Sequence, residues 1–166
     1  HIAAISGNNP VFNNAGLFKK TTGSEVLFVP VFATPLFNNT GTVDVQAGNL
    51  HLTGGASTGN FVVASGAVLN FVGPVAQNLN VGSSLSGAGT LSVAPGPGVS
   101  TTAGGTTPGA GSLNVAGNYA LSGSLNVAGG TMNLSTPDTV STPALTVSGG
   151  TANINTTANA ATLNLS

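Results

Sequence analysis

The chain has 166 residues, only 3% of them charged, and a formal net charge of −1. Lys19, Lys20, Glu25, Asp44 and Asp138 are its charged side chains, with no arginine, where an ordinary soluble domain carries about a quarter. Two lysines exclude a basic nucleic-acid-binding footprint, and 40% hydrophobic residues at so low a net charge exclude charge-driven disorder. No stretch reaches the roughly 18–20 consecutive apolar residues of a membrane helix, so no membrane insertion is expected. Cysteine is absent, which removes disulfides and thiolate metal sites. Gly, Thr, Asn and Ser make up close to half the chain. Solubility that rests on amides and hydroxyls rather than charge points to an extracellular or cell-surface setting. The first residue is His1 rather than Met, which reads as the end of a processed or excised piece.

Along the chain, the first signal is a repeat. Residues 12–23 read FNNAGLFKKTTG and residues 37–48 read FNNTGTVDVQAG. Phe12, Asn13, Asn14, Gly16 and Gly23 recur as Phe37, Asn38, Asn39, Gly41 and Gly48, a period typical of solenoids, propellers or arrays. A looser unit of strand, glycine turn and strand follows at 41–55, 59–73, 111–123, 123–135 and 144–155. Within it apolar and small polar residues alternate, as in Leu113/Val115, Leu125/Val127 and Leu145/Val147, so one face is buried and the other solvated. Leu134 and Ile154 join these as expected core positions, with Asn114, Asn126 and Thr146 facing outward. Glycine and β-branched residues interrupt every candidate helical window, so essentially no helix is expected.

Residues 94–111, APGPGVSTTAGGTTPGAG, hold three prolines and cannot form a central strand. They read as a loop or a joint, with 95–109 the least regular part. All seven Phe lie at or before Phe71, so residues 1–93 are expected to form a wider, Phe-rich half and residues 112–166 a narrower one, together a single domain over 1–166. A sandwich would let its strands diverge in sequence, whereas a solenoid stacks like on like. The recurring FNN, LNV and SGG elements therefore predict an all-β solenoid. Coils of about 20–25 residues would give roughly seven coils, a rod ~35 Å long at about 4.8 Å per strand.

At FNNTGTVDVQAGNLHLTGG (37–55) the chain resembles a repeat of large secreted bacterial surface proteins, the β-solenoid passengers of autotransporters and haemagglutinin-like adhesins. The resemblance is clear over 12–55 and dilute over 56–166. It implies a right-handed parallel β-helix and a structural or adhesive extracellular role, and it brings no catalytic residue onto this chain.

The chemistry-bearing residues are few. Polysaccharide cleavage needs clustered acids, and calcium needs several carboxylate oxygens. Glu25, Asp44 and Asp138 are dispersed, so no catalytic, cofactor-binding or metal-binding residue and no cofactor are expected. A copper site would need His1 with His51, which the alternation of Leu50-His51-Leu52 places on the outer face. His1 reads instead as a processing end and His51 as a surface residue. Lys19 and Lys20 read as solvated charges that discourage sideways strand pairing. Asn114, Asn126, Asn133 and Asn153 read as a coil-to-coil amide ladder in preference to a sugar-binding face. The sequons beginning at Asn38, Asn133, Asn155 and Asn164 are what so Asn-rich a composition produces by chance. Ice binding would need Thr-x-Thr rows, and Thr40-Gly41-Thr42 does not recur at the coil period. A carbohydrate-binding module would need exposed aromatics, for which Tyr119 is the candidate. The strand-like ends, Ile2–Ile5 and Ala161–Ser166, carry no charge. They fit either a cut from a longer repeat protein or ends that stack on the next copy, and head-to-tail stacking into a surface fibre is expected, with cell-surface or matrix glycans as a further class of partner.

Overall fold

A computed structural model describes residues 10–27, 35–94 and 111–166. Among them every regular element is a β-strand. The first rung comprises β1 (Val11–Asn14), β2 (Leu17–Lys20) and β3 (Val26–Leu27). The second comprises β4 (Leu36–Asn39), β5 (Thr42–Val45) and β6 (Asn49–Leu52). The third holds β7 (Gly55–Ser57), β8 (Asn60–Val63) and β9 (Val68–Phe71). The fourth holds β10 (Gln77–Leu79), β11 (Ser84–Gly87) and β12 (Thr90–Val93), and the fifth β13 (Ser112–Val115), β14 (Asn118–Leu121) and β15 (Leu125–Val127). The last two rungs have two strands each, β16 (Thr131–Leu134) with β17 (Val140–Val147), then β18 (Thr151–Ile154) with β19 (Ala158–Leu165).

Like strands stack in parallel into three sheets. Sheet A runs β1-β4-β7-β10-β13-β16-β18, sheet B runs β2-β5-β8-β11-β14, and sheet C runs β3-β6-β9-β12-β15-β17-β19. A parallel pair needs a crossover of a dozen or more residues. Here the rest of the coil is that crossover, and no helix is needed to supply it. The expected parallel β-helix of roughly seven coils is the observed architecture, with two sheets seven strands deep. Successive partners in sheet A are 25, then 18, later 36, 19 and 20 residues apart. The repeat seen in the sequence is thus the first step of the coil. The 36-residue step contains the segment 95–110, which lies outside the described residues, as does the expected irregularity of 95–109.

The core is a set of columns. Phe37, Val43, Phe61, Leu69, Leu85, Leu91, Leu113 and Met132 are fully buried between the sheets. Phe12 stacks on Phe37 with centroids 5.3 Å apart and planes 14° apart, and Phe18 meets both edge-on. Leu113, Val115, Leu125, Val127, Leu134 and Leu145 are buried as the alternation requires. Val147 and Ile154 are only partly buried against the same core. Asn114, Asn126 and Thr146 face outward and are half-exposed.

The Phe-Asn-Asn-x-Gly unit is a rung corner. Its Phe points in, and its first Asn points out. The second Asn turns into the corner: Asn14 Nδ2 donates to Thr42 O (3.1 Å) on the rung above, and Asn39 Nδ2 to Asn60 O (3.2 Å) in the same way. The Asn carbonyls accept from the next corner, Thr40 and Gly41 N–H onto Asn14 O, and Thr58 and Gly59 N–H onto Asn39 O. The glycine is required by contact. A Cβ at Gly41 would lie 2.1 Å from Gly16 O, and one at Gly59 would lie 2.2 Å from Gly41 O.

Sheet B stops at β14 because the later coils change shape. β17 and β19 are eight residues long and pair along their length, from Val140↔Ala158 to Val147↔Leu165. The start of β17 packs beside β14, and Thr142 Oγ1 donates to Gly123 O at 2.8 Å. One long strand thus runs past the place of two short ones. Gly41→Ala is expected to lower stability by about 1–3 kcal/mol, because the backbone oxygen beneath it cannot move aside. Gly23→Ala, with nothing within 4 Å of its Cβ, is the matched control and should stay within roughly 0.5 kcal/mol of the parent. Urea midpoints of the two variants measure the difference.

Candidate functional site

Outside sheet A, the register aligns Asn13, Asn38, Ala56, Asn78, Asn114, Asn133 and Asn153 in one column. Asn38 Nδ2 donates to Asn13 Oδ1 (3.0 Å), Asn114 to Asn78 (2.7 Å), Asn133 to Asn114 (2.6 Å) and Asn153 to Asn133 (2.7 Å). At the Ala56 gap the backbone substitutes, with Ala56 N–H donating to Asn38 Oδ1 at 3.0 Å. The expected ladder is therefore present for Asn114, Asn133 and Asn153. Asn126 does not belong to it. That residue sits on sheet C, between Ser92 and Thr146 in register. A second, buried ladder fills the inner corner, where Asn14 Nδ2 donates to Asn39 Oδ1 (2.8 Å) and Ser57 Oγ donates to Asn39 O (2.9 Å).

Two polar residues depart from expectation. Lys20 is not a solvated charge: it is 3% exposed, and its ammonium donates to Thr22 O (2.5 Å) and Ala47 O (2.7 Å). Alternation places Lys20 on the same face as Phe18, so the signal was present in LFKK. Burial lowers the Lys20 pKa from its ordinary value. Lys19 does face out, 3.7 Å from Asp44 Oδ2, and Gln46 Nε2 donates to the same oxygen at 2.8 Å.

His51 is not an ordinary surface residue. Alternation puts it on the outer side of sheet C, yet it is 5% exposed. Its Nε2 lies 2.7 Å from Glu25 Oε1, and its Nδ1 lies 3.2 Å from Asn70 Nδ2. Burial lowers the His51 pKa, with the Glu25 carboxylate opposing that shift. Alternation reports which face a residue takes but not whether that face is covered, so nothing in Leu50-His51-Leu52 signals the burial. His1 lies outside the described residues.

The three carboxylates stay apart. Glu25 meets His51, Asp44 meets Lys19, and Asp138 Oδ2 accepts from the Tyr119 backbone N–H at 2.7 Å. Among the described residues no three His, Cys, Asp or Glu side chains come together as metal ligands. Tyr119 is 3% exposed with its ring in the core, so it offers no stacking surface, and burial pushes its hydroxyl pKa well up. Its Oη and both amide atoms of Gln77 are buried without a partner. Above β14, where sheet B ends, a groove of about 570 Å³ is lined by Leu121, Ser122, Ser141, Thr142, Pro143 and Asn159 among others. Of the sequon asparagines, Asn38 and Asn133 are held in the ladder, whereas Asn155 and Asn164 are exposed. Thr40 Oγ1 donates to Asn14 O at 3.4 Å. Comparison with known protein families, curated proteins and solved structures returns no match.

Asn114→Ala interrupts the ladder in its middle and should cost about 0.5–1.5 kcal/mol, since it removes the half-exposed bonds to Asn78 and Asn133. Asn159→Ala, exposed on β19, should be close to neutral in the same denaturant titration. The pH dependence has a definite sign. With the folded His51 pKa below its ordinary 6.5, the unfolded chain takes up the proton first. Stability is then full above about pH 6.5 and declines as the pH falls toward the folded pKa. Thermal midpoints taken from pH 8 to pH 5 should fall, and His51→Gln should flatten that slope.

Proposed function

We propose that this chain is a non-catalytic structural or adhesive module of an extracellular protein, a rod that stacks end to end within a surface fibre. The observation that carries the reading is the exposed last rung, β19. Every residue of β19 is exposed, including Leu163 (59%) and Leu165 (72%). In register with them lie Leu145 and Val147, whose columns run down into the core. A parallel strand edge above an apolar cross-section is a template for another rung, whether further chain or a second copy supplies it. A second copy docking its first coil there forms a heterologous contact, which propagates as an open filament.

Further support comes from composition and from the site residues. So few charges leave little electrostatic barrier to close approach. The three carboxylates and the ladder asparagines are engaged in contacts between rungs. Uncharged amide and hydroxyl faces suit an extracellular setting. An adhesive role toward glycans would work through those faces, because among the described residues no aromatic side chain is exposed.

The test is association state. The parent chain should form concentration-dependent linear assemblies visible by electron microscopy, and Leu163→Lys with Leu165→Lys should give monomers of unchanged circular dichroism. A parent chain that sediments as a monomer at high concentration, with its terminal strands protected from amide exchange, would sink the stacking reading.

A further inference from the structure

Glu25, His51 and Asn70 belong to three successive rungs. Glu25 precedes β3, His51 lies in β6 and Asn70 in β9, and the sheet C register sets His51 directly under Asn70. We propose that the three form a proton-operated clasp, in which protonation of His51 is coupled to a half-turn of the Asn70 carboxamide.

The hydrogen-bond directions carry the idea. An amide nitrogen only donates. With Asn70 Nδ2 at 3.2 Å, His51 Nδ1 is therefore the acceptor, which places the ring proton on Nε2. Nε2 lies 2.7 Å from Glu25 Oε1, close but out of line for a hydrogen bond, so the neutral ring sets its N–H beside the carboxylate. This arrangement leaves Asn70 Oδ1 buried without a partner, and His51 Nε2 without a formed hydrogen bond. A buried, unpaired carbonyl oxygen is an unfavourable feature with a ready remedy.

Protonation supplies that remedy. An imidazolium donates from both nitrogens, so Nδ1–H would point at the Asn70 amide donors. Rotating the carboxamide by half a turn exchanges nitrogen for oxygen. Oδ1 then accepts from Nδ1–H, while Nε2–H remains on Glu25, now as an ion pair. The neutral clasp leaves the Asn70 acceptor stranded and the Nε2 donor poorly aligned, and it holds no buried cation. The protonated clasp pairs that acceptor at the expense of a desolvated charge. Two arrangements opposed in this way exchange as the pH falls below the ordinary histidine value.

Glu25 is the one charged residue set against the ring. Lys20 is bound to the carbonyls of Thr22 and Ala47, Lys19 and Asp44 pair with each other on sheet B, and Asp138 holds the Tyr119 N–H. Residues 1–9, 28–34 and 95–110 contain no Asp, Glu, Lys or Arg, and His1 is their one titratable side chain. The lowered His51 pKa fits this setting, with burial the larger influence and the carboxylate working against it. The clasp makes the joint between the first three rungs responsive to pH whether or not rods stack.

Nitrogen-15 NMR of the intact chain from pH 8 to pH 4.5 tests the coupling. At pH 8 the His51 ring should show its proton on Nε2. On acidification the Asn70 side-chain amide resonances should move with the same midpoint as the ring nitrogens. Asn70→Ala removes the acceptor for the charged ring and should lower that midpoint by about one pH unit. Glu25→Gln should lower it too. An Asn70 amide that stays unchanged through the His51 titration overturns the proposal, as does an Nδ1-protonated ring at pH 8. An unmoved midpoint in Asn70→Ala overturns it as well. Should that variant fail to fold, Asn70→Ser and the parent side-chain shifts decide the question.

Discussion

Everything in this molecule depends on in-register parallel stacking, in which each residue sits about 4.8 Å above its counterpart in the previous coil. That constraint turns side-chain chemistry into columns. A column works only if its members satisfy one another, because each residue has the same two vertical neighbours for most of its contacts. Asparagine meets the condition on an outer face, since its carboxamide donates upward or downward and accepts on the opposite side. The run from Asn78 to Asn153 does this with donor–acceptor distances of 2.6–2.7 Å. A shift of one residue would send the whole column into the core. The ladder therefore specifies register as well as adding hydrogen bonds.

The inner columns follow the same rule with different chemistry, and they change character along the rod. The corner column begins as Asn14, Asn39 and Ser57, then continues as Leu79, Val115, Leu134 and Ile154. The polar start bonds within itself and to the carbonyls of Thr42 and Asn60, and the apolar remainder needs no such partners. Gln77 marks a comparable discontinuity in the next inward column. It lies in register between Gly55 and Leu113, fully buried, with both amide atoms unpaired.

The fold was legible because alternation and self-similarity are both properties of single residues in order. Leu113, Leu125 and Leu145 could be placed inside, and Asn114 and Asn133 in a ladder, from spacing alone. What spacing does not carry is coverage. Val147 and Ile154 take the inward face but are only partly buried, since too few residues lie over the last rungs. His51 takes the outward face and is nevertheless buried. Lys20 is a different kind of case, because its position two residues after Phe18 already put it inside. Adjacent in sequence, Lys19 and Lys20 point in opposite directions. The shortening of sheet B was not readable either. It depends on β17 running straight past a corner that earlier coils turn, and the turn residues Thr136-Pro137-Asp138 resemble many others in the chain.

The scarcity of charge then takes on a structural meaning. In a solenoid a charged side chain facing inward stacks over apolar neighbours, and one facing outward stacks over its own kind in the next coil. Identical charges in one column repel, so a repeat that copies a charge at every coil is disfavoured. Amides and hydroxyls escape that penalty, being donor and acceptor at once. The few charges retained are those with a dedicated partner: Lys19 opposite Asp44 in register, Lys20 bound to two carbonyls, Glu25 on His51, and Asp138 on the backbone N–H of the last sheet B strand. Asp138 occupies the position where a further strand would pair with β14, so its carboxylate covers part of an edge that stacking leaves open. On β19, the last strand of sheet C, no such residue is present, and Leu163 and Leu165 stay exposed.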